Sequence, residues 1–219
     1  QRGVRVRILL HDANTGGLDA TLAALDAHPN IEVRLYNPLM HRHARALDFI
    51  TDFTRVNRRM HNKSFTADAQ VTIVGGRNIG DEYAGAQGSV DFADLDVVAV
   101  GPAVREVSSA FDLYWNSASA YPIASIVPAA GPGAARDLEG RFADVRADPD
   151  ASAYVDALNH TQLVADLVEG QLPLEWTDAR LARDDPGKTL DTADRRDLLL
   201  LSQLLPIMGE PSESFDLVS

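Results

Sequence analysis

One short stretch constrains this chain more than any other: Met60-His61-Asn62-Lys63-Ser64-Phe65-Thr66-Ala67-Asp68, followed after six residues by Gly75-Gly76-Arg77-Asn78. In extended backbone, side chains at i and i+2 share a face, so His61 and Lys63 project together while Asn62 points away. Asp68 falls at an expected turn, where carboxylates commonly accept hydrogen bonds. Val71-Thr72-Ile73-Val74 is a short apolar run typical of a buried strand. Gly75 and Gly76 let the backbone bend closely around a ligand and bring Asn78 back beside the first strand. The segment predicts a strand–turn–strand–turn unit carrying an imidazole, an ammonium, a carboxylate and a carboxamide. That inventory suits attack on a phosphodiester by histidine.

Around this unit, strands and helices alternate. Val4 to Leu10 begins with apolar and basic residues in turn, the mark of a strand with one buried face. Leu18, Leu22 and Leu25 recur at helical spacing up to His28-Pro29. Ile31 to Tyr36 is a second alternating strand, broken by Asn37-Pro38. An amphipathic helix with an Arg-rich end is expected from Ala44 to Arg58. Asp94 to Val100 reads as a strand stopped by Gly101-Pro102, and Ala103 to Trp115 as a helix. This order predicts an α/β lobe, a mixed β-sheet flanked by helices, over residues 1–127.

Residues 128–135, Pro128-Ala129-Ala130-Gly131-Pro132-Gly133-Ala134-Ala135, are small and breaker-rich and read as a linker. Residues 136–219 read as a further α/β region. A helix is expected from Ala151 to Val168, a strand near Leu174 to Leu181, and a helix from Thr192 to Leu205. Thr192 would cap that last helix, Asp194 would sit in its first turn, and Pro206 would stop it. The ending Ser214 to Ser219 resembles the start of another strand. The beginning, Gln1-Arg2-Gly3 running straight into Val4, resembles entry into a strand within a fold. A chain cut from a longer protein is expected, and no internal repeat is visible.

Composition narrows the function classes. With 219 residues, 45% of them hydrophobic, the chain can bury one large or two small cores. Acidic residues outnumber basic ones 32 to 20, for a net charge of −12. That balance argues against a broad polyanion-binding surface, and so against a nucleic-acid partner, but leaves room for a small basic pocket. There is no cysteine, which removes disulfides and thiolate metal sites. No apolar run approaches the roughly 18–20 residues of a membrane span. His41 and His43 form an i, i+2 pair, but no further ligands cluster nearby in sequence, so no metal site is expected there.

The full pattern, His-x-Lys, four residues, Asp, six residues, Gly-Gly-x-Asn, resembles the signature of the phospholipase D superfamily. The flanking Arg58-Arg59-Met60-His61 and Gly75-Gly76-Arg77-Asn78-Ile79-Gly80-Asp81-Glu82-Tyr83 look like its bacterial cardiolipin synthase branch. So do Phe92-Ala93-Asp94-Leu95-Asp96-Val97, Gly101-Pro102-Ala103-Val104 and Leu172-Pro173-Leu174-Glu175-Trp176. Members of that branch carry two such motifs in two similar lobes that share one active site.

The resemblance implies phosphatidyl transfer through a phosphohistidine intermediate, without metal or other cofactor. One histidine attacks phosphorus, and the other lobe's histidine protonates the leaving alkoxide and then activates the acceptor. Which of the two is His61 stays open. His61, Lys63, Asp68, Asn78 and Asp94 are the implied catalytic set. Asp94, or alternatively Asp96, would orient His61; Lys63 and Asn78 would hold phosphoryl oxygens; Asp68 would hold the turn. Gly75, Gly76, Arg77 and Glu82 are the candidate substrate contacts; Asp81 and Glu82 either bind a glycerol hydroxyl or, the reading favoured here, cap the following segment. Arg55, Arg58 and Arg59 either meet lipid head groups or serve the helix end. The implied partners are a phospholipid substrate and a second lobe, from the same polypeptide or a homodimer. A peripheral attachment to the bacterial inner membrane is also implied. The alternatives are a phosphodiesterase or nuclease completed by homodimerisation, and an isolated half-enzyme without turnover.

Overall fold

The structure, a computed structural model, describes residues 3–76, 95–190 and 196–210. The first layer is a parallel pair, β1 (Val6–His11) and β2 (Ile31–Tyr36), joined through helix α1 (Asp19–Asp26). Val6 lies opposite Ile31 and His11 opposite Tyr36. The period-two pattern separates the two faces. On one face Ile8, Leu10, Val33 and Leu35 pack with Leu22 and Ala23 of α1, and Ile123 and Val127 complete this core.

The other face is covered by a later helix, α4 (Pro102–Trp115). Here Leu9 and Tyr36 meet Tyr114. The alternate basic residues are seated on aromatic rings: Arg7 lies 4.9 Å from the Phe111 centroid and Arg34 4.5 Å from that of Trp115. Basic alternation in a half-buried strand thus finds cation–π partners. The short strand β6 (Ala120–Pro122) adds to β2 antiparallel, so this sheet is mixed, in the order β1-β2-β6.

A second sheet, antiparallel throughout, has the order β3 (Ser64–Ala67), β4 (Val71–Gly75), β5 (Asp96–Val100). Helix α4 contacts all three of its strands as well as the first sheet, and so positions the two sheets relative to each other. The chain is therefore α/β, with small sheets flanked by helices.

Several expected elements differ. The helix expected from Ala44 to Arg58 is two short ones, α2 (Ala46–Thr51) and α3 (Phe53–Val56). Asp52 leaves helical geometry (φ −142°, ψ 42°), and the Thr51 hydroxyl bonds back to the Leu47 carbonyl at 2.9 Å, a local competitor of the helix ladder. Helix α5 (Ala134–Ala147) begins inside the expected linker and fills a stretch for which no element is predicted. The expected helix from Ala151 to Val168 is likewise divided, into α6 (Pro149–Asn159) and α7 (Gln162–Glu169). Asp148 caps α6, and Thr161 interrupts the run by capping α7 through the Val164 amide.

Leu174 to Leu181 forms no strand. Its Leu181 amide bonds the Glu106 carboxylate at 3.2 Å, and without a ladder partner among the described residues the apolar run stays irregular. The last described helix, α8 (Leu200–Met208), starts later than expected and contains Pro206. A proline in the final turn forfeits one backbone bond, and the Gly209 amide still reaches the Leu205 carbonyl at 3.1 Å. Thr192 and Asp194 lie outside the described residues.

Candidate active site

His61 and Lys63 stand in the extended lead-in to β3, just before its first ladder pair, Ser64 with Val74. The Gly75 amide approaches the Lys63 carbonyl at 3.4 Å, which continues the register towards His61. His61 is exposed and Lys63 half-buried, with the Lys63 ammonium donating to the His61 carbonyl at 2.9 Å. The ammonium is thereby turned back towards the histidine.

The backbone entering the motif is pinned to the lobe. Met60 packs against the Tyr36–Tyr114–Ala120 cluster. Asn37, buried and in the left-handed region (φ 53°), donates from Nδ2 to the Arg55 carbonyl at 2.9 Å and the Arg58 carbonyl at 3.3 Å. Arg55 answers with bonds to Asn37 Oδ1 (2.7 Å) and the Pro38 carbonyl (3.0 Å). Arg55 is thus engaged in structure, while Arg59 remains exposed.

The motif's other members divide into three groups. Asp68 occupies the β3–β4 turn in the left-handed region (φ 50°), where the Gln70 amide closes onto the Ala67 carbonyl at 2.9 Å. It follows His61 by seven residues, roughly 23 Å of extended chain, and so stands at the opposite end of the hairpin. Gly75 ends β4 opposite Asp96 of β5, and a Cβ on Gly75 would lie 1.8 Å from Asp96 Oδ1. The missing side chain lets the Asp96 carboxylate lie over β4 at the end of the sheet that carries Lys63. Gly76 is exposed. Arg77, Asn78, Glu82 and Asp94 lie outside the described residues.

Two further groups belong to this region and are not legible as site residues in the sequence. His11, at the carboxyl end of β1, faces Tyr36 with ring centroids 6.4 Å apart, and its Nε2 is buried without a hydrogen-bond partner among the described residues. Its pKa is lowered to about 4, first by burial and then by the charge of Arg59, with smaller contributions from His61 and Lys188 against the opposing Asp12. The second is a strap of residues 184–189, which returns from the far end of the chain to lie against Tyr36, Tyr114 and Arg58.

The pKa of His61 is also lowered. Partial desolvation comes first, then the positive charges of Lys63, Lys188 and Arg59, with Asp184 opposing. A depressed pKa leaves the ring neutral near pH 7, the form a nucleophile requires. Carboxyl ends of parallel strands are a common place for ligand crevices; His11 stands at such an end and feels the charges of Arg59 and Lys188, as His61 does.

The depressed His11 has a consequence for stability. The unfolded chain takes up the proton near pH 6.5, whereas the folded ring resists until about 4, so acidification favours the unfolded state. Stability should fall progressively across that interval, by about 3 kcal/mol in all. Unfolding of a His11→Asn variant between those pH values should show a flatter dependence than the parent; an unchanged slope would contradict the burial of His11.

His41 is tied into local structure. Its Nδ1 is 3.1 Å from Asp48 Oδ1, and buried Asp48 also accepts from the His41 amide at 2.9 Å and the Met40 amide at 3.2 Å. Among the described residues no group of three or more candidate side chains gathers to hold a metal.

Comparison with known proteins adds the following. Cardiolipin synthase C of Escherichia coli strain K12 is 48% identical over 227 aligned residues, covering 100% of this chain and 46% of that protein. A cardiolipin synthase of Oceanobacillus iheyensis is 30% identical over 118 residues, covering 53% of this chain and 23% of the relative. One from Staphylococcus aureus strain Mu50 is 41% identical over 64 residues, covering 29% of this chain and 13% of the relative. No protein-family model and no solved structure matches the chain. The chain thus spans less than half the length of each of these relatives. With a likeness to cardiolipin synthase C that runs through its whole length, and to other cardiolipin synthases over parts of it, the chain is a cardiolipin synthase-like protein of the phospholipase D superfamily.

Proposed function

We propose that this chain supplies one lobe of a phosphatidyltransferase that acts through a phosphohistidine intermediate, with a second His-x-Lys lobe completing the site. In this reading residues 1–127 are the lobe, residues 128–135 the connection and residues 136–219 the region leading to its counterpart. The observation that carries the reading is the His61–Lys63 pair: an exposed, neutral-leaning imidazole whose own main-chain carbonyl holds the Lys63 ammonium, at the edge of a sheet and open to a large substrate.

As nucleophile, His61 forms a phosphorus–nitrogen bond while the bond from phosphorus to the leaving alkoxide breaks. The partner histidine gives its proton to that alkoxide. It then takes the proton of an acceptor hydroxyl, whose oxygen attacks phosphorus and releases His61. If the roles are exchanged, His61 is the acid and base of the same sequence. Lys63 and Asn78 bind the phosphoryl oxygens on which charge grows. Asp96 joins Asp94 as a candidate to orient the motif, supported by the absence of a side chain at Gly75.

The substrate in this proposal is a bacterial membrane phospholipid, met at the inner membrane by peripheral contact. No described helix is long and apolar enough to cross a membrane. Exposed Leu163 and Leu167 on α7 are available for such a contact. Rapid quenching of the complete protein with phosphorus-labelled phospholipid tests the mechanism. Protein-bound label that is stable to alkali and labile to acid is expected; product formation with no bound label at any time would sink the covalent step.

A further inference from the structure

The strap of residues 184–189 is held to the lobe more firmly than a surface loop requires. Tyr36 donates its hydroxyl to the Pro186 carbonyl at 2.8 Å, and Tyr114 to the Asp184 carbonyl at 3.0 Å. Thr189 Oγ1 meets Ser119 Oγ at 2.6 Å. Arg58, three residues before His61, donates to the Lys188 carbonyl at 2.7 Å. These bonds span about 70 to 150 positions of sequence and set Lys188 beside the motif's entry segment.

Lys188 itself is unusual. Its side chain is 9% exposed, and its ammonium is paired with the Asp184 carboxylate. Lysine is almost never buried unless paired, and a buried ion pair contributes little net stability compared with apolar side chains of similar size. Stability alone therefore gives weak reason for this residue here. Asp184 keeps another partner, the Leu200 amide at 2.6 Å on its other oxygen, so it stays anchored if the ammonium turns elsewhere.

We infer that Lys188 is a phosphate-binding residue of the His61 site, delivered by the strap and parked on Asp184 until a phosphodiester arrives. The inference rests on the reading of His61 as the site of phosphoryl chemistry. Both His11 and His61 already lie within reach of the Lys188 charge. A phosphoryl oxygen at His61 would compete with Asp184 for the ammonium, and Asp184 would hold the empty site electrically balanced. Substrate binding then exchanges one charge-assisted hydrogen bond for another.

The test measures inorganic phosphate binding to the complete protein by calorimetry, alongside KM and kcat on bacterial phospholipid vesicles. Lys188→Met should weaken phosphate binding and raise KM by about tenfold each, and Lys188→Arg should restore most of both. Asp184→Asn should tighten phosphate binding, because the ammonium loses its competitor; this arm stands even if Lys188→Met folds poorly. Unchanged phosphate affinity in Lys188→Met, or weaker affinity in Asp184→Asn, would overturn the inference and leave the strap as a structural clamp. Phosphate binding needs no turnover, so full activity in a His61→Ala variant would refute the proposed function while this reading of Lys188 is decided separately.

Discussion

His61→Ala in the complete protein should lower phosphatidyl transfer by at least about a thousandfold, because the proposed mechanism makes the residue either the nucleophile or the proton donor and gives neither role a substitute. Stability should hardly change. His61 is exposed, and neither of its ring nitrogens bonds the protein in the described hydrogen-bond network, so its loss opens no cavity and orphans no buried group. Thermal unfolding run beside the transfer assay separates the two effects. A parallel loss of stability and activity would assign His61 a structural role.

Asp12→Ala should show the reverse balance. Asp12 is fully buried, at the end of β1 beside His11, and accepts from the Leu39 amide at 2.7 Å, from Thr15 and from Arg42, with Arg45 Nη2 at 3.3 Å. Burial alone would raise its pKa, but the bonds from Thr15, Arg42 and Leu39 outweigh that and hold it below the usual carboxylate value. Truncation leaves Arg42, whose side chain is only 10% exposed, without its buried carboxylate. Removing one partner of such a pair costs about 3–5 kcal/mol. Denaturant unfolding should show that loss near pH 7. Because the folded pKa is depressed, the Asp12 contribution is present above the ordinary carboxylate pKa and disappears on acidification through the folded value. A variant as stable as the parent would mean that Arg42 finds full compensation from Asp19, its other carboxylate partner.

These two residues mark what sequence reading reaches and what it does not. His61 is legible because its motif is local: period-two spacing in the lead-in to β3 sets His61 and Lys63 side by side, just before Ser64 pairs with Val74. β2 and α4 are similarly legible, since a period of two or of 3.6 over a run bounded by breakers leaves little choice. Helix α5 was within reach as well: Leu138, Phe142 and Val145 recur at helical spacing, but the Pro- and Gly-rich start of the segment masks it.

The rest depends on partners distant in sequence. Asp184-Asp185-Pro186-Gly187-Lys188 reads as an exposed turn, and only Tyr36, Tyr114 and Arg58 make it a buried strap. Leu174 to Leu181 has an apolar pattern suited to a strand but no strand edge to pair with among the described residues. The break at Thr161 comes from a single side chain that caps a new helix locally, a contest of about 1 kcal/mol that periodicity does not register.

The most direct measurement is product analysis of the complete protein on vesicles of bacterial phospholipid, with the His61→Ala variant alongside. Cardiolipin formed by the parent, with none from the variant, is the expected result. Phosphatidic acid as the sole product, or cardiolipin formed equally by both proteins, would contradict a phosphatidyl-transfer lobe centred on His61.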